Sequence, residues 1–369
     1  MNIPLIKPYI NEEIKARVAE VLDSGYLTEG PVTHEFEEAF RKFIGSRHAI
    51  AVTSCTTGLE VALRCLGIGP GDEVIVPDYT YPATAAVVSI VGAHCVIVDI
   101  DPSTLLIRYD AIESAITRKT KAIIPVSLFG NPLDYNRLND IKARHNLYII
   151  EDAACAIGAQ FEGRMVGTDA DITVFSLHPR KFITTGEGGM ITTSRDDWAE
   201  WMNSYKHFGM DASGSRESIH FGMVGTNYKL SNVLSAIGLG QLKDIDNLLH
   251  RRRKLADNYS QLFAGQNGIV IPSVTPGGVH SYQSYCLLVD DRDRIMHIMR
   301  QGGIEVQIGT YSLHVHDAFK NKTDFTCLGD LSGSKLAFSQ CLTLPLYHDL
   351  SMEQQQDIAN KLKSLFLKG

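Results

Sequence analysis

The chain has no apolar run approaching the roughly 18 residues that a membrane-spanning helix needs. Its first residues also lack the charged-then-apolar pattern of a secretory signal. Neither membrane contact nor export is expected, and the expected location is cytoplasmic. Cysteine is sparse and poorly spaced for cross-linking: seven residues, at 55, 65, 95, 155, 286, 327 and 341, with no C-x-x-C pair. That argues against a disulfide framework or a zinc site and for reduced thiols. No metal is expected elsewhere either, because His314-Val315-His316 has no third ligand in a recognisable pattern. An excess of positive charge is missing too. The net charge is −7, which gives no general case for nucleic acid. The one basic run, His250-Arg251-Arg252-Arg253-Lys254, reads as the solvated face of a helix. Asn321-Lys322-Thr323 has the form of a glycosylation sequon, which carries no meaning without a secretion signal. There is no internal repeat and no low-complexity segment.

What is present is a soluble composition, 44% hydrophobic and 21% charged over 369 residues, enough for a large core in two domains. A Pro-punctuated arm, Ile3-Pro4-Leu5-Ile6-Lys7-Pro8, precedes an amphipathic helix with Ile14, Val18, Val21 and Leu22 on one side. A second helix over 33–44 places Phe36, Phe40, Phe43 and Ile44 on one face. Seven β-branched runs then recur with helical stretches between most of them: 49–52, 74–76, 95–98, 122–126, 148–150, 172–175 and 190–192. Continuous apolar runs of this kind mark a mostly parallel sheet covered on both faces. The short connection before the last run predicts that it is antiparallel. From about residue 230 a long apolar-periodic helix, carrying Leu230, Val233, Leu234, Ile237, Leu239, Leu242 and Ile245, leads into a second unit. That unit holds a strand over 284–289, a helix near 290–301, the segment 342–346 and a closing helix over 351–367. The expected domains are 1–245 and 246–369.

Chemistry-bearing residues gather where these strands end, the edge at which open α/β sheets bind ligands. After the first strand, Thr53-Ser54-Cys55-Thr56-Thr57 opens a helix. This reads either as an anion site or as plain capping, with Thr57 and Glu60 in capping-box spacing. Gly67-Ile68-Gly69-Pro70-Gly71 reads as a loop, since no strand precedes it. After the second strand, in Tyr79-Thr80-Tyr81-Pro82, a tyrosine is placed either to stack on an aromatic cofactor or to pack in the core. After the fifth, Glu151-Asp152 ends an apolar strand, which is costly unless the charge has a cationic partner. A pyridinium nitrogen is such a partner. The sixth strand runs into Phe175-Ser176-Leu177-His178-Pro179-Arg180-Lys181-Phe182-Ile183-Thr184-Thr185-Gly186-Glu187-Gly188-Gly189-Met190. A lysine there suits a Schiff base with an aldehyde, its amine freed of its proton by burial and nearby positive charge. Lys181 follows Asp152 by 29 residues, room for one crossover helix and the next strand, so the two fall on neighbouring strands. A phosphate site, a stacking ring, a nitrogen-pairing carboxylate and a Schiff-base amine together describe pyridoxal phosphate.

The chain resembles the pyridoxal-phosphate-dependent sugar aminotransferases of the DegT/DnrJ/EryC1/StrS group, within the aspartate-aminotransferase-like superfamily. The likeness is carried nearly end to end: by Ser24-Gly25-Tyr26-Leu27-Thr28, Ser54-Cys55-Thr56, Glu151-Asp152-Ala153-Ala154, the long block from Phe175 to Met190, Gly225-Thr226-Asn227-Tyr228-Lys229-Leu230-Ser231 and Leu344-Pro345-Leu346. It implies the fold type I α/β architecture, with a mostly parallel seven-stranded sheet, helices on both faces and a smaller α+β C-terminal domain. It implies that Lys181 carries the cofactor and shuttles a proton, Asp152 pairs the ring nitrogen, and Tyr81 stacks on the ring. Ser54, Cys55, Thr56 and Ser176 hold the phosphate, with Cys155 near the ring. Asn227 reaches the phosphate from a second subunit, so a homodimer completes the site. Thr28, His178, Tyr311 and His314 fall to the substrate. The implied reaction moves an amino group from an amino acid, L-glutamate by family likeness, to a nucleotide-linked keto sugar. The rivals are a sugar dehydratase of the same group, which carries His at the Schiff-base position, and a non-catalytic regulatory member. Three positions depart from the pattern: Cys55 where a smaller residue is usual, Cys155 where a hydrogen-bonding His, Gln or Glu is common, and Thr310-Tyr311-Ser312-Leu313-His314 where a Pro-containing stretch is usual.

Overall fold

The computed structural model describes residues 2–210, 218–320 and 322–366. All seven β-branched runs are strands of one sheet: β1 (His48–Val52), β2 (Glu73–Pro77), β3 (His94–Val98), β4 (Thr120–Ile123), β5 (Tyr148–Asp152), β6 (Ile172–Ser176) and β7 (Gly189–Thr193). An eighth strand, β8 (Phe325–Cys327), comes from the C-terminal third and pairs parallel to β3. The sheet is therefore eight-stranded, not seven, in the order β1–β7–β6–β5–β4–β2–β3–β8. Only β7 is antiparallel to its neighbours β1 and β6. The connection from Ser176 to Gly189 is too short for a crossover, so the chain must return alongside.

Successive side chains of a strand point to opposite faces, and both faces are apolar. Ile75, Ile149 and Phe175 enter one core with Phe36 and Phe40, while Val74, Val76, Ile150 and Val174 enter another with Leu59. The N-terminal helices Glu12–Ser24 and Pro31–Ile44 supply Ile14, Val21, Phe36, Phe40 and Ile44 as buried residues. Leu22, expected on that face, is exposed. The segment joining β5 to β6 is not the expected crossover helix. It contains the hairpin Gln160–Phe161/Arg164–Met165, with Gly158, Gly163 and Gly167 all at positive φ. Such glycines turn the chain where a helix would continue.

The long periodic helix is two helices, Asn232–Lys243 and Ile245–Phe263, meeting at Asp244. The second begins in the first core, through Ile245 and Leu249. It ends in a third core, where Leu255, Tyr259 and Phe263 pack on Leu287, Leu342 and Leu344 of a four-stranded antiparallel sheet. Ile3 of the N-terminal arm joins that third core. The closing helix spans Met352–Ser364. The basic run is a solvated face only in part, since His250, Arg251 and Lys254 are exposed. Arg252 is buried and donates to the carbonyls of Tyr282, Gln283 and Leu346, and Arg253 donates to those of His280 and Gly158. A charge run does not by itself reveal which of its members point inward, and arginine's five donors let it saturate loop carbonyls. The asparagine of the sequon lies outside the described residues. Among the described residues no helix is long and apolar enough to cross a membrane.

Candidate active site

The ends of β1, β5 and β6 and the start of β7 lie at one edge of the sheet, facing the small four-stranded sheet. Between them is a cavity of about 530 Å³. Its walls hold Ser54, Cys55, Thr56, Tyr81, Asp152, Cys155, Ser176, His178, Lys181 and Tyr311 from the expected set. Leu5, Ile6, Arg180, Glu187, Gln283, Glu305 and the 307–310 segment are among the other residues that line it.

The end of the cavity where an anion is expected is built by three adjacent strands. Gly189 opens β7 opposite both Val52 and Ser176. A Cβ at Gly189 would meet the Ser54 carbonyl carbon at 2.6 Å and the Cys55 nitrogen at 2.7 Å, so only glycine brings this strand against the turn. The helix Cys55–Cys65 starts there. Ser54 is its N-cap, and the capping box is closed by Thr57 rather than by a Thr57–Glu60 pair. Glu60 instead binds Arg64 at 2.8 Å and the Tyr228 hydroxyl at 2.9 Å. Capping and anion binding are compatible here. The box uses the Ser54 and Thr57 amides, and the Cys55 and Thr56 amides have no intrahelical acceptor by helix geometry. The Ser176 hydroxyl, at the end of β6, accepts from the His178 amide at 3.4 Å.

Asp152 ends β5 and is 4% exposed. Its Oδ2 accepts from the Thr84 hydroxyl at 2.7 Å and its Oδ1 from the Ala154 amide at 3.1 Å, with the Cys55 thiol 3.9 Å away. Burial raises its affinity for a proton above the ordinary carboxylate value, and those hydrogen bonds together with Lys181 offset only part of that. A cation is what this carboxylate lacks.

Lys181 sits in a tight turn after β6, its amide donating to the His178 carbonyl at 2.8 Å. The loop is gripped from the later half of the chain. Buried Gln241 accepts from the Thr184 amide at 3.1 Å and donates to the Thr184 carbonyl at 2.6 Å. Gln283 donates to the Arg180 carbonyl at 2.6 Å, and the Arg252 guanidinium lies 4.9 Å over the Phe182 ring. The Lys181 amine donates to the Cys155 thiol at 3.2 Å. Nearby positive charge, expected from the sequence, is not what shapes its titration. Burial pushes the amine down, but Cys155, then Cys55 and Asp152, push it up by more, and the net shift is upward. The site favours the protonated form of the amine.

The tyrosine alternatives separate cleanly. Tyr79 is 1% exposed and belongs to the core, whereas Tyr81 is 65% exposed and lines the cavity, its ring 6.2 Å from that of Tyr311. His178 lines the cavity, with Nδ1 accepting from the Arg180 amide at 3.2 Å and Nε2 lying 3.9 Å from Glu187. Three expected residues are not on this wall. Thr28 is exposed near the N-terminal helices. Asn227 is exposed and held by Lys229 at 2.6 Å. His314 is turned to Asp78, with Nδ1 2.7 Å from its carboxylate. Gln241, Gln283, Thr84 and the Leu5–Ile6 arm were not singled out by sequence. Thr84 alone had a signal, as a hydroxyl in the helix turn just after Tyr81-Pro82. The others act across more than 50 residues of chain.

These groups fit pyridoxal phosphate: an anion cradle shaped by a glycine, a buried carboxylate short of a cation, and an amine in the turn after the adjacent strand. The comparisons agree. A model of the DegT/DnrJ/EryC1/StrS aminotransferase family matches residues 8–363. The spore coat polysaccharide biosynthesis protein SpsC of Bacillus subtilis is 32% identical over 100% of this chain and 97% of its own. Among solved structures, Spr1654 of Streptococcus pneumoniae in its PLP form superposes with a TM-score of 0.93 at 31% identity, covering 100% of this chain and 99% of that one. Helicobacter pylori PseC, an aminotransferase involved in the biosynthesis of pseudoaminic acid, has a TM-score of 0.93 at 26% identity, with both chains fully covered. A likeness of this extent, on a cavity with this chemistry, leaves one assignment: the chain belongs to the DegT/DnrJ/EryC1/StrS aminotransferase family and is a pyridoxal-phosphate-dependent aminotransferase.

Proposed function

We propose that this enzyme moves the amino group of an amino acid, L-glutamate, to a nucleotide-linked keto sugar of the 4-keto-6-deoxyhexose class, in the cytoplasm and as a homodimer. The observation that carries the reading is the single cavity into which both Asp152, at the end of β5, and Lys181, in the turn after the neighbouring β6, open. The cofactor, when bound, supplies an electron sink for the amino-acid carbon and a carrier for the nitrogen. The chain's own residues do the rest. The Cys55 and Thr56 amides and the Ser176 hydroxyl hold the phosphate, Asp152 keeps the ring nitrogen protonated, and Tyr81 covers the ring face. Lys181 Nζ takes the proton from the donor's α-carbon and later returns it. Donor and acceptor use one cavity in turn, which is ping-pong logic.

His178 and Tyr311, on the cavity wall, position the sugar. The exposed Asn227 is available to a neighbouring subunit's phosphate site rather than to its own. Exposed Phe221 and Val224 precede it in sequence, exposed Phe208 follows its bridge partner His207, and the three supply an apolar surface for that contact. The SpsC and PseC names link those relatives to polysaccharide and pseudoaminic-acid synthesis, which supports a sugar acceptor here. The test is a panel of dTDP-, UDP- and GDP-linked 3- and 4-keto sugars with glutamate, read by mass spectrometry. An amino sugar and 2-oxoglutarate in equal amounts are expected. Bleaching of the cofactor band by sugar alone with loss of water would replace this reading with a dehydratase.

A further inference from the structure

Cys155 stands on the cavity wall where its Sγ is the one side-chain acceptor within hydrogen-bond distance of Lys181 Nζ among the described residues. The contact, 3.2 Å, is anchored at both ends. Cys155 lies within a turn closed by Ala156 N to Ala153 O at 2.9 Å, and its own carbonyl accepts from the Ser281 hydroxyl at 3.5 Å. Lys181 is fixed by its turn to His178 and by the grip of Gln241 and Gln283 on the flanking loop. A transaminating lysine spends part of each cycle with a free amine, neutral before it takes a proton and charged after. A long, flexible side chain in that state loses its placement unless something holds it.

We propose that Cys155 is a positioning residue, whose thiol holds the free Lys181 amine at the reacting edge in both of its protonation states. A thiol can do this because it has both a donor and an acceptor role. Its S–H donates to the neutral amine, and its sulfur accepts from the ammonium. The other ionisable groups facing Nζ are Cys55, from the helix after β1, and Asp152, from β5. Tyr81, His178, Arg180 and Glu187 lie further round the wall. The inference rests on the family's aminotransferase chemistry and not on the identity of the sugar.

The test begins without cofactor. Reductive methylation of Lys181 by formaldehyde and a borane is followed on its peptide by mass spectrometry across about pH 8 to 12. Cys155→Ala removes a contact that favours the protonated amine. The midpoint is expected to fall by about 0.5 to 1 pH unit, and labelling below it to speed up roughly three- to tenfold. Cys155→Ser keeps a donor and an acceptor and is expected to stay within about 0.3 unit of the parent. In the loaded enzyme, with cofactor affinity unchanged, alanine is expected to lower kcat about fivefold at constant KM and to raise the isotope effect of an α-deuterated donor. An alanine labelling profile superimposed on the parent's, a serine profile shifted as far as alanine's, or an unchanged kcat and isotope effect would overturn the proposal. Failure of every sugar in the acceptor panel would leave the labelling result standing and count only against the sugar assignment.

Discussion

Glu151 and Asp152 are consecutive on β5, and the pleat sends them to opposite faces of the sheet. Glu151 is 0% exposed and closed off by three hydroxyls: Ser127 at 2.5 Å, Tyr135 at 2.6 Å and Thr173 at 3.3 Å. No cation is among its hydrogen-bond partners, and burial pushes its pKa up to about 7. Asp152 has one hydroxyl, one amide, a thiol 3.9 Å away and an open cavity in front of it. From sequence alone such a pair is expected to need a cationic partner. Glu151 shows the other outcome: three hydroxyls close its shell, and burial favours the protonated carboxyl over a charge that would need a cation. The difference teaches where to look for function: in the carboxylate whose shell the fold leaves open.

The largest effect expected from the open side is that of Lys181→Ala. It removes the proton carrier and lowers turnover by at least about 10³-fold, measured as donor-dependent bleaching of the cofactor band. Asp152→Asn keeps the shape and discards the charge. Turnover should fall about 10²-fold while the fold is retained, which is checked by kcat and thermal unfolding on one sample. Glu151→Gln is the mirror experiment, and its effect belongs to stability. A carboxyl whose folded pKa is raised from about 4.5 to about 7 holds more protons in the native state, so its stabilising share is full below pH 4.5 and is lost as pH rises to 7. Unfolding of the apoprotein between pH 5 and 8 should show the parent losing up to about 3 kcal/mol that the glutamine variant does not lose, with kcat little changed. Thr84→Val strips one hydroxyl from Asp152 and should weaken cofactor binding about fivefold in an equilibrium titration. Equal losses of turnover in Glu151→Gln and Asp152→Asn would erase the comparison.

Much of this site was legible because its residues are local to strand ends. The seven β-branched runs fix where the strands stop, and the parallel order brings those stops to one edge. The spacing from Asp152 to Lys181 suits adjacent strands even though a hairpin, not a helix, fills it. What escaped depends on contacts distant in sequence. β8 is three residues at the sheet edge with two of them exposed, and has no pattern to read. Arg252 looks like its solvated neighbours until the carbonyls of 282, 283 and 346 come to it. Gln241 and Gln283 grip the lysine loop from 57 and 103 residues away. Asp78 holds both the amide and the ring of His314, which turns a histidine expected at the substrate into a tie between β2 and the C-terminal third.

Borohydride reduction of the protein loaded with pyridoxal phosphate, followed by peptide mass spectrometry, tests the central assignment most directly. The account predicts one phosphopyridoxyl group, on the peptide that carries Lys181, and none on the Lys181→Ala protein. A label on a different lysine, or no stable label at all, would contradict it.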